Sequence, residues 1–321
     1  MLPFLHFSYF FHPVNKGGDL LNIIQLPNYI SDKANTEFNY GVSLINAPDF
    51  WKQSINGKGV VVAVIDSGCQ IEHEELKENI IDVFNFTDDD NGNLKNVTDY
   101  TGHGTHVSGI IAARNQKHII GVAPRAKLLI VKSIGQNRSS SYDALIKSLE
   151  FAINWTGENG EKVDVINLSL GGRSDNKRLR EVINDALKKN IFIVAASGNY
   201  GDGVDSTNEI LYPGFYKEVI QVSAVNERLE PTSFSNSNCN IDFLGPGESI
   251  VSTYIENSYN TLSGTSMAAP HISGAICLLI NLFKENGRTV SQETIYDYLK
   301  SQSTILEGYS KNTQGNGVVK L

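Results

Sequence analysis

The sequence predicts an α/β fold, a mostly parallel central sheet with helices on both faces, and three observations lead there. From about Tyr40 onward, short β-branched runs alternate with helical stretches, the pattern of a parallel sheet wrapped by its crossovers. The strand candidates are nearly continuous in apolar residues, as strands covered on both faces are. Their carboxyl ends carry Asp66, Ser169 and the Gly198-Asn199 pair, and chemistry in open α/β sheets collects at those ends.

In chain order the strand candidates are Val60–Ile65, Leu128–Ser133, Val163–Ser169, Phe192–Ala196, Ile220–Ala224 and Ile241–Leu244. Helical stretches lie between and after them at Tyr142–Trp155, Lys177–Lys189 and, longest, about Ser266–Lys284. No repeat or low-complexity tract interrupts the pattern. Residues 21–39 are polar around an apolar island, Ile23–Ile30, and are expected to dock on the domain as an extension. Residues 1–14 are apolar and aromatic, but no Lys or Arg precedes the stretch and no small-x-small site follows it, which argues against a signal peptide. Lys16-Gly17-Gly18-Asp19 is what a bacterial ribosome-binding site spells when translated in frame, so residues 1–20 are read as untranslated leader or a disordered extension. The folded domain is then expected over residues 40–321.

The 321 residues are 40% hydrophobic and 19% charged, enough to bury a large core in one domain. A net charge of -8 disfavours nucleic acid and anionic membrane as partners, since both reward basic patches. No run of 18 apolar residues suggests a membrane span. Cys69, Cys239 and Cys277 are too few and scattered for a disulfide framework or zinc site, and are expected to be buried or semi-buried thiols of a reducing compartment.

Three motifs point to one chemistry. Val-Ala-Val-Ile-Asp66 is a buried strand ending in a carboxylate, Gly102-His103-Gly104 sets an imidazole at a helix start, and Gly264-Thr265-Ser266 sets a hydroxyl at another. Serine is a poor nucleophile near neutral pH and needs a base within hydrogen-bond reach. Histidine supplies that base, and a buried aspartate fixes its tautomer and stabilises the imidazolium. The flanking glycines are expected to let a substrate backbone approach, and the helix dipole to favour charge at Ser266. Singly, the aspartate would be a turn residue, the serine a cap, and the nearby His106 a packed helix residue.

Together, and in the order Asp, His, Ser, these motifs resemble the subtilisin family of serine proteases. The resemblance runs from Tyr40-Gly41-Val42 to about residue 285 and implies a subtilisin-like three-layer fold. It implies that Asp66, His103 and Ser266 form a triad that cuts peptide bonds through an acyl-enzyme. Asn199, in Ala195-Ala196-Ser197-Gly198-Asn199, resembles the family's oxyanion donor. A substrate is expected to add as an extended strand between Arg138-Ser139-Ser140 and Ser169-Leu170-Gly171. Arg138 departs from the small residue usual there and is expected either to favour acidic substrate side chains or to point into solvent. Ala196, Ser197 and Gly198 would form the other wall of the pocket for the residue before the cut, with Leu211 at its floor, and the Tyr212-Pro213 bond would be cis.

Gly68-Cys69, Asn85–Asp90 and Gly201-Asp202-Gly203 resemble the bacterial intracellular subtilisins in particular. So do Leu26, Pro27 and Tyr29, which resemble those enzymes' inhibitory segment. The resemblance thus implies a cytoplasmic enzyme, latent until that segment is cut, and a possible homodimer; secretion is the alternative if residues 1–14 are a signal peptide. It also implies structural calcium, for which Asp88, Asp90 and Glu75 are the candidate ligands, although the short basic loop Arg114–His118 departs from a calcium loop. Two rival functions share the site: a processing peptidase for one substrate, such as a lantibiotic leader peptide, and a catalytically silent binding protein. A lipase or esterase is disfavoured because the Gly-x-Ser-x-Gly elbow is absent around Ser266.

Overall fold

Seven parallel strands in the order β10-β9-β8-β6-β2-β4-β3 form the centre of the molecule, in a computed structural model that describes residues 20–23, 39–114 and 117–321. In chain order the strands are β1 (Leu20–Ile23), β2 (Val61–Asp66), β3 (Ile80–Asn85), β4 (Lys127–Lys132), β5 (Ser139–Ser141), β6 (Val165–Leu168), β7 (Leu170–Gly171), β8 (Phe192–Ala196), β9 (Ile220–Val225), β10 (Phe243–Pro246), β11 (Ile250–Tyr254) and β12 (Ser258–Leu262). The helices are α1 (Tyr40–Leu44), α2 (Ala47–Lys52), α3 (His103–Ala112), α4 (Tyr142–Asn154), α5 (Lys177–Lys188), α6 (Thr265–Glu285), α7 (Gln292–Gln302) and α8 (Lys311–Gln314).

Side-chain alternation along β2 assigns the layers. Val62 and Val64 face one core with α3 and α6, while Val61, Ala63 and Ile65 face a second core with α4 and α5. The six strand and three helix candidates are all present, with ends displaced by at most two residues; the candidate Val163–Ser169 becomes β6, and β7 follows it directly. Helix α6 is long and apolar enough by composition to cross a membrane, yet it is almost entirely buried inside the fold. Cys69 and Cys277 are buried thiols, whereas Cys239 is exposed, against expectation, on the loop before β10.

Strand order reverses at β2, with β4 and β3 on one side and β6 and β8 on the other. A crevice opens at such a reversal, outside the carboxyl ends of the strands. Asp66 is the last residue of β2 and therefore stands at that crevice.

The hairpin β11-β12 holds helix α3 from behind. His106 lies within 3.0 Å of the Ile250 carbonyl and 3.1 Å of the Asn260 carbonyl through Nε2, so that nitrogen carries the proton. Burial pushes this imidazole down to about 3, and burial likewise pushes His271 down to about 4. Both titrate near 6.5 in an unfolded chain, so below that pH the unfolded form binds more protons. Their contribution to stability is complete above pH 6.5 and is lost as pH falls toward 4. Asp242, pushed up to about 6 by burial, and Asp164, also raised by burial, act in the opposite sense, whereas His73, lowered by burial, acts with the two imidazoles. The Tm of a Ser266→Ala protein should therefore fall between pH 6.5 and 4, measured by thermal unfolding; a flat profile would contradict this.

Candidate active site

Asp66 and His103 arrive from different elements and meet fully buried. His103 Nδ1 lies 2.7 Å from Asp66 Oδ1, so the Nδ1 proton goes to the carboxylate and Nε2 is left as the basic atom. Nε2 is buried and has no hydrogen-bond partner among the described residues.

The loop before α3 is organised by Asp99. One carboxylate oxygen accepts the Ser67 hydroxyl at 2.9 Å and the amides of Thr101 at 3.0 Å and Gly102 at 2.9 Å. The other accepts the Thr105 amide at 2.9 Å and the Thr105 hydroxyl at 2.7 Å. Because Ser67 follows Asp66, this cage fixes both ends of the Asp66–His103 pair. The glycines beside His103 serve internal packing, not the substrate access expected of them. Gly102 has φ 77 and a Cβ there would strike the ring of Tyr254, while a Cβ on Gly104 would strike the carbonyl of Gly68.

Ser266 is buried in the first turn of α6, where the helix dipole presents its positive end. Its hydroxyl donates to the Ser169 carbonyl at 3.1 Å, and the Ser169 hydroxyl returns a bond to the Ser266 carbonyl at 2.9 Å. Asn199 is oriented by its own oxygen, which accepts the Thr265 amide at 2.9 Å and the Thr265 hydroxyl at 3.0 Å. Its Nδ2 is thereby turned outward from that contact, buried and without a partner among the described residues. A buried amide donor left unpaired beside a nucleophile is chemically suited to a developing oxyanion.

Strands β5 and β7 carry the expected substrate edges, and β1 of the same chain lies between them, antiparallel to both. Leu20, Leu21 and Asn22 pair with Ser141, Ser140 and Ser139; Asn22 and Ile23 pair with Gly171 and Leu170. The strand therefore runs toward Ser169 and Ser266. Leu21 has no exposed surface and packs in the core that includes Ile134, Tyr142 and Leu170. The expected segment residues Leu26, Pro27 and Tyr29 lie outside the described residues; the docked stretch is Leu20–Ile23, which straddles the boundary expected between residues 20 and 21.

Ser169, Leu170, Gly171, Ala196, Ser197 and Gly198 are all buried around this cleft. Leu211 is buried against Gly198, and the Tyr212-Pro213 bond is cis. Arg138 is exposed at φ 64 just before β5.

The three expected calcium ligands do not form one site, and no group of three or more His, Cys, Asp or Glu side chains suited to a metal occurs among the described residues. Glu75 is buried, and its Oε1 accepts the amides of Lys117 and His118, both at 2.9 Å, and the Tyr259 hydroxyl at 3.3 Å. Calcium is bound by oxygen atoms, and these donors engage one of the two oxygens that Glu75 would offer it. Asp90 accepts the Tyr100 hydroxyl at 2.5 Å, and Asp88 is exposed in the adjoining turn.

The sequence alone gives no role to Asp99 or to the Thr265 side chain. Their position was the available signal: Asp99 stands four residues before His103, and Thr265 immediately before Ser266.

This fold and this arrangement define a serine hydrolase. Residues 57–317 match the Subtilase family. The chain is 41% identical over 304 residues to the "Major intracellular serine protease" of Bacillus subtilis (strain 168), covering 93% of each. It is 44% identical over 283 residues to the "Intracellular serine protease" of Paenibacillus polymyxa, covering 88% of this chain and 84% of that one. It is 37% identical over 268 residues to "Subtilisin DY" of Bacillus licheniformis, covering 83% and 92%. The chain belongs to the subtilase family and is a serine endopeptidase.

If Glu75 closes its corner through protein donors alone, Glu75→Ala should lower the Tm of the Ser266→Ala protein by several degrees, since each charge-assisted bond is worth about 1.5–3 kcal/mol. The Tm difference should be the same in calcium and in EDTA. A difference that disappears in EDTA would place a metal at Glu75.

Proposed function

We propose that Asp66, His103, Ser266 and Asn199 carry out the hydrolysis, on peptides bound as a strand between β5 and β7, and that the chain's own β1 holds the enzyme latent inside the cell. The observation that carries this reading is β1 itself, a peptide already seated in the cleft and directed at Ser266. The intracellular setting is supported by the printed names of the two intracellular relatives.

In this reading the Ser266 hydroxyl turns to His103 and attacks the carbonyl carbon of the substrate. His103 Nε2 takes the proton, and Asp66 holds the resulting imidazolium in place. The oxyanion receives the Asn199 Nδ2–H and the Ser266 backbone N–H. Collapse breaks the C–N bond, and His103 returns the proton to the departing amine. Water, activated by the same imidazole, then attacks the acyl-enzyme and frees Ser266. Leu21 mimics a substrate side chain four residues before a cut, and Arg138 flanks the strand where an acidic substrate residue would pass.

Kinetics on a peptide substrate test the assignment. Ser266→Ala should abolish turnover above background. Asn199→Gly should lower kcat about 100- to 1,000-fold with little change in KM, a magnitude taken from removal of the equivalent donor in subtilisin, a member of this same family. An Asn199→Gly enzyme with parental kcat would remove Asn199 from the oxyanion site.

A further inference from the structure

Lys132 is among the largest side chains with no exposed surface, an unusual place for an ammonium. It ends β4 and pairs across the sheet with Asp66. Its Nζ donates to the Ser67 carbonyl at 2.9 Å and the Thr98 carbonyl at 3.0 Å, and lies 3.0 Å from Asp89 Oδ2. The ring of Tyr100 stands 5.2 Å from the same nitrogen. A buried ammonium is retained only where acceptors and a counter-charge surround it, as here.

Asp89 continues the connection. The same Oδ2 that meets Lys132 accepts the Gln136 amide at 2.9 Å. Gln136 lies in a tight turn in which the Arg138 amide donates to the Gly135 carbonyl at 2.9 Å and the Gly135 amide to the Ser139 carbonyl at 3.1 Å. That turn leads directly into β5. Between Lys132 and the turn, the amides of Ser133 and Ile134 donate to the Asp66 carbonyl at 2.8 and 3.1 Å.

We propose that the ion pair between buried Lys132 and partly exposed Asp89 is a positioning device that locks the peptide-binding edge β5 to the turn carrying Asp66. The pair fixes the distance between the place where the substrate strand is held and the place where its carbonyl reacts. It rests on the reading of β5 as a substrate edge. Lys132 and Asp89 touch no substrate atom; they act through Ser67 on one side and Gln136 on the other. A long substrate uses both ends of this connection, and a substrate of one residue uses only the Asp66 end.

Comparing kcat/KM for an acyl-tetrapeptide ester beginning Leu-Asn-Ile with that for the N-acetyl ester of its last residue isolates the effect. The ratio cancels the fraction of enzyme whose cleft is filled by β1. In full-length Asp89→Asn, the ratio should fall about tenfold from the parent, because the tetrapeptide loses more than the single-residue ester. Lys132→Met leaves Asp89 without its counter-charge and can fail to fold, so Lys132→Met with Asp89→Leu, which removes both charges, provides the second variant. It should also lose the tetrapeptide advantage, and slow the single-residue ester as well through loss of the Ser67 contact. Thermal unfolding establishes that each variant is folded. Folded variants that keep the parental ratio overturn the proposal. A parent enzyme with no tetrapeptide advantage would instead overturn the reading of β5 itself.

Discussion

A single hydrogen bond of 2.7 Å, between two side chains with essentially no exposed surface, joins the end of strand β2 to the first residue of helix α3. Removing a carboxylate and an imidazole from water is costly unless each finds its partner, and that requirement constrains the backbone on both sides. Asp99 meets it for the α3 loop by gathering the amides of Thr101, Gly102 and Thr105 on one carboxylate. Lys132 meets it for the Asp66 turn by holding the Ser67 and Thr98 carbonyls. The hairpin β11-β12 meets it from behind through His106. Asp66 and His103 are thus placed by neighbours that lie outside the pair itself.

The same economy of placement bears on how a short strand is held between β5 and β7. Burying the Leu21 side chain contributes about 1.5–3 kcal/mol, which alone would be weak binding. Because β1 belongs to the same chain, its docking is intramolecular, and tethering raises its effective concentration to the millimolar range typical of short linkers. In the proposed latent state, a free peptide would compete against that. Cutting the chain beyond Ile23 removes the tether and with it most of the advantage.

Much of the site was legible in the sequence because its parts are local. Asp66 ends an apolar run, His103 sits between glycines and Ser266 follows Gly264-Thr265, so each carries its context within a few residues. The residues that hold them were not legible, since Asp99 and Lys132 are ordinary polar letters whose links to the turn after Asp66 span more than 30 positions, from Asp99 and from Lys132 to Ser67. The fold shows the same division. The central strands were apparent from continuous apolar runs, whereas β3, an edge strand with partly exposed residues, and α7, with few buried side chains, lacked that signal. Glu75 was an acidic residue in the right neighbourhood for a metal, and only the structure reveals that its Oε1 accepts the amides of Lys117 and His118.

The central claim is a serine nucleophile screened by the protein's own strand. Its most direct test is the rate at which a fluorophosphonate labels the purified full-length protein, with peptide mapping of the modified residue. Label on Ser266 that forms slowly in the intact chain, and rapidly once the chain is cut after Ile23 or Leu21 is replaced in Leu21→Asp, is the predicted result. Label on another residue, or none under any of these conditions, would contradict the assignment of the nucleophile. A rate on Ser266 unaffected by the cut or by Leu21→Asp would contradict the screening.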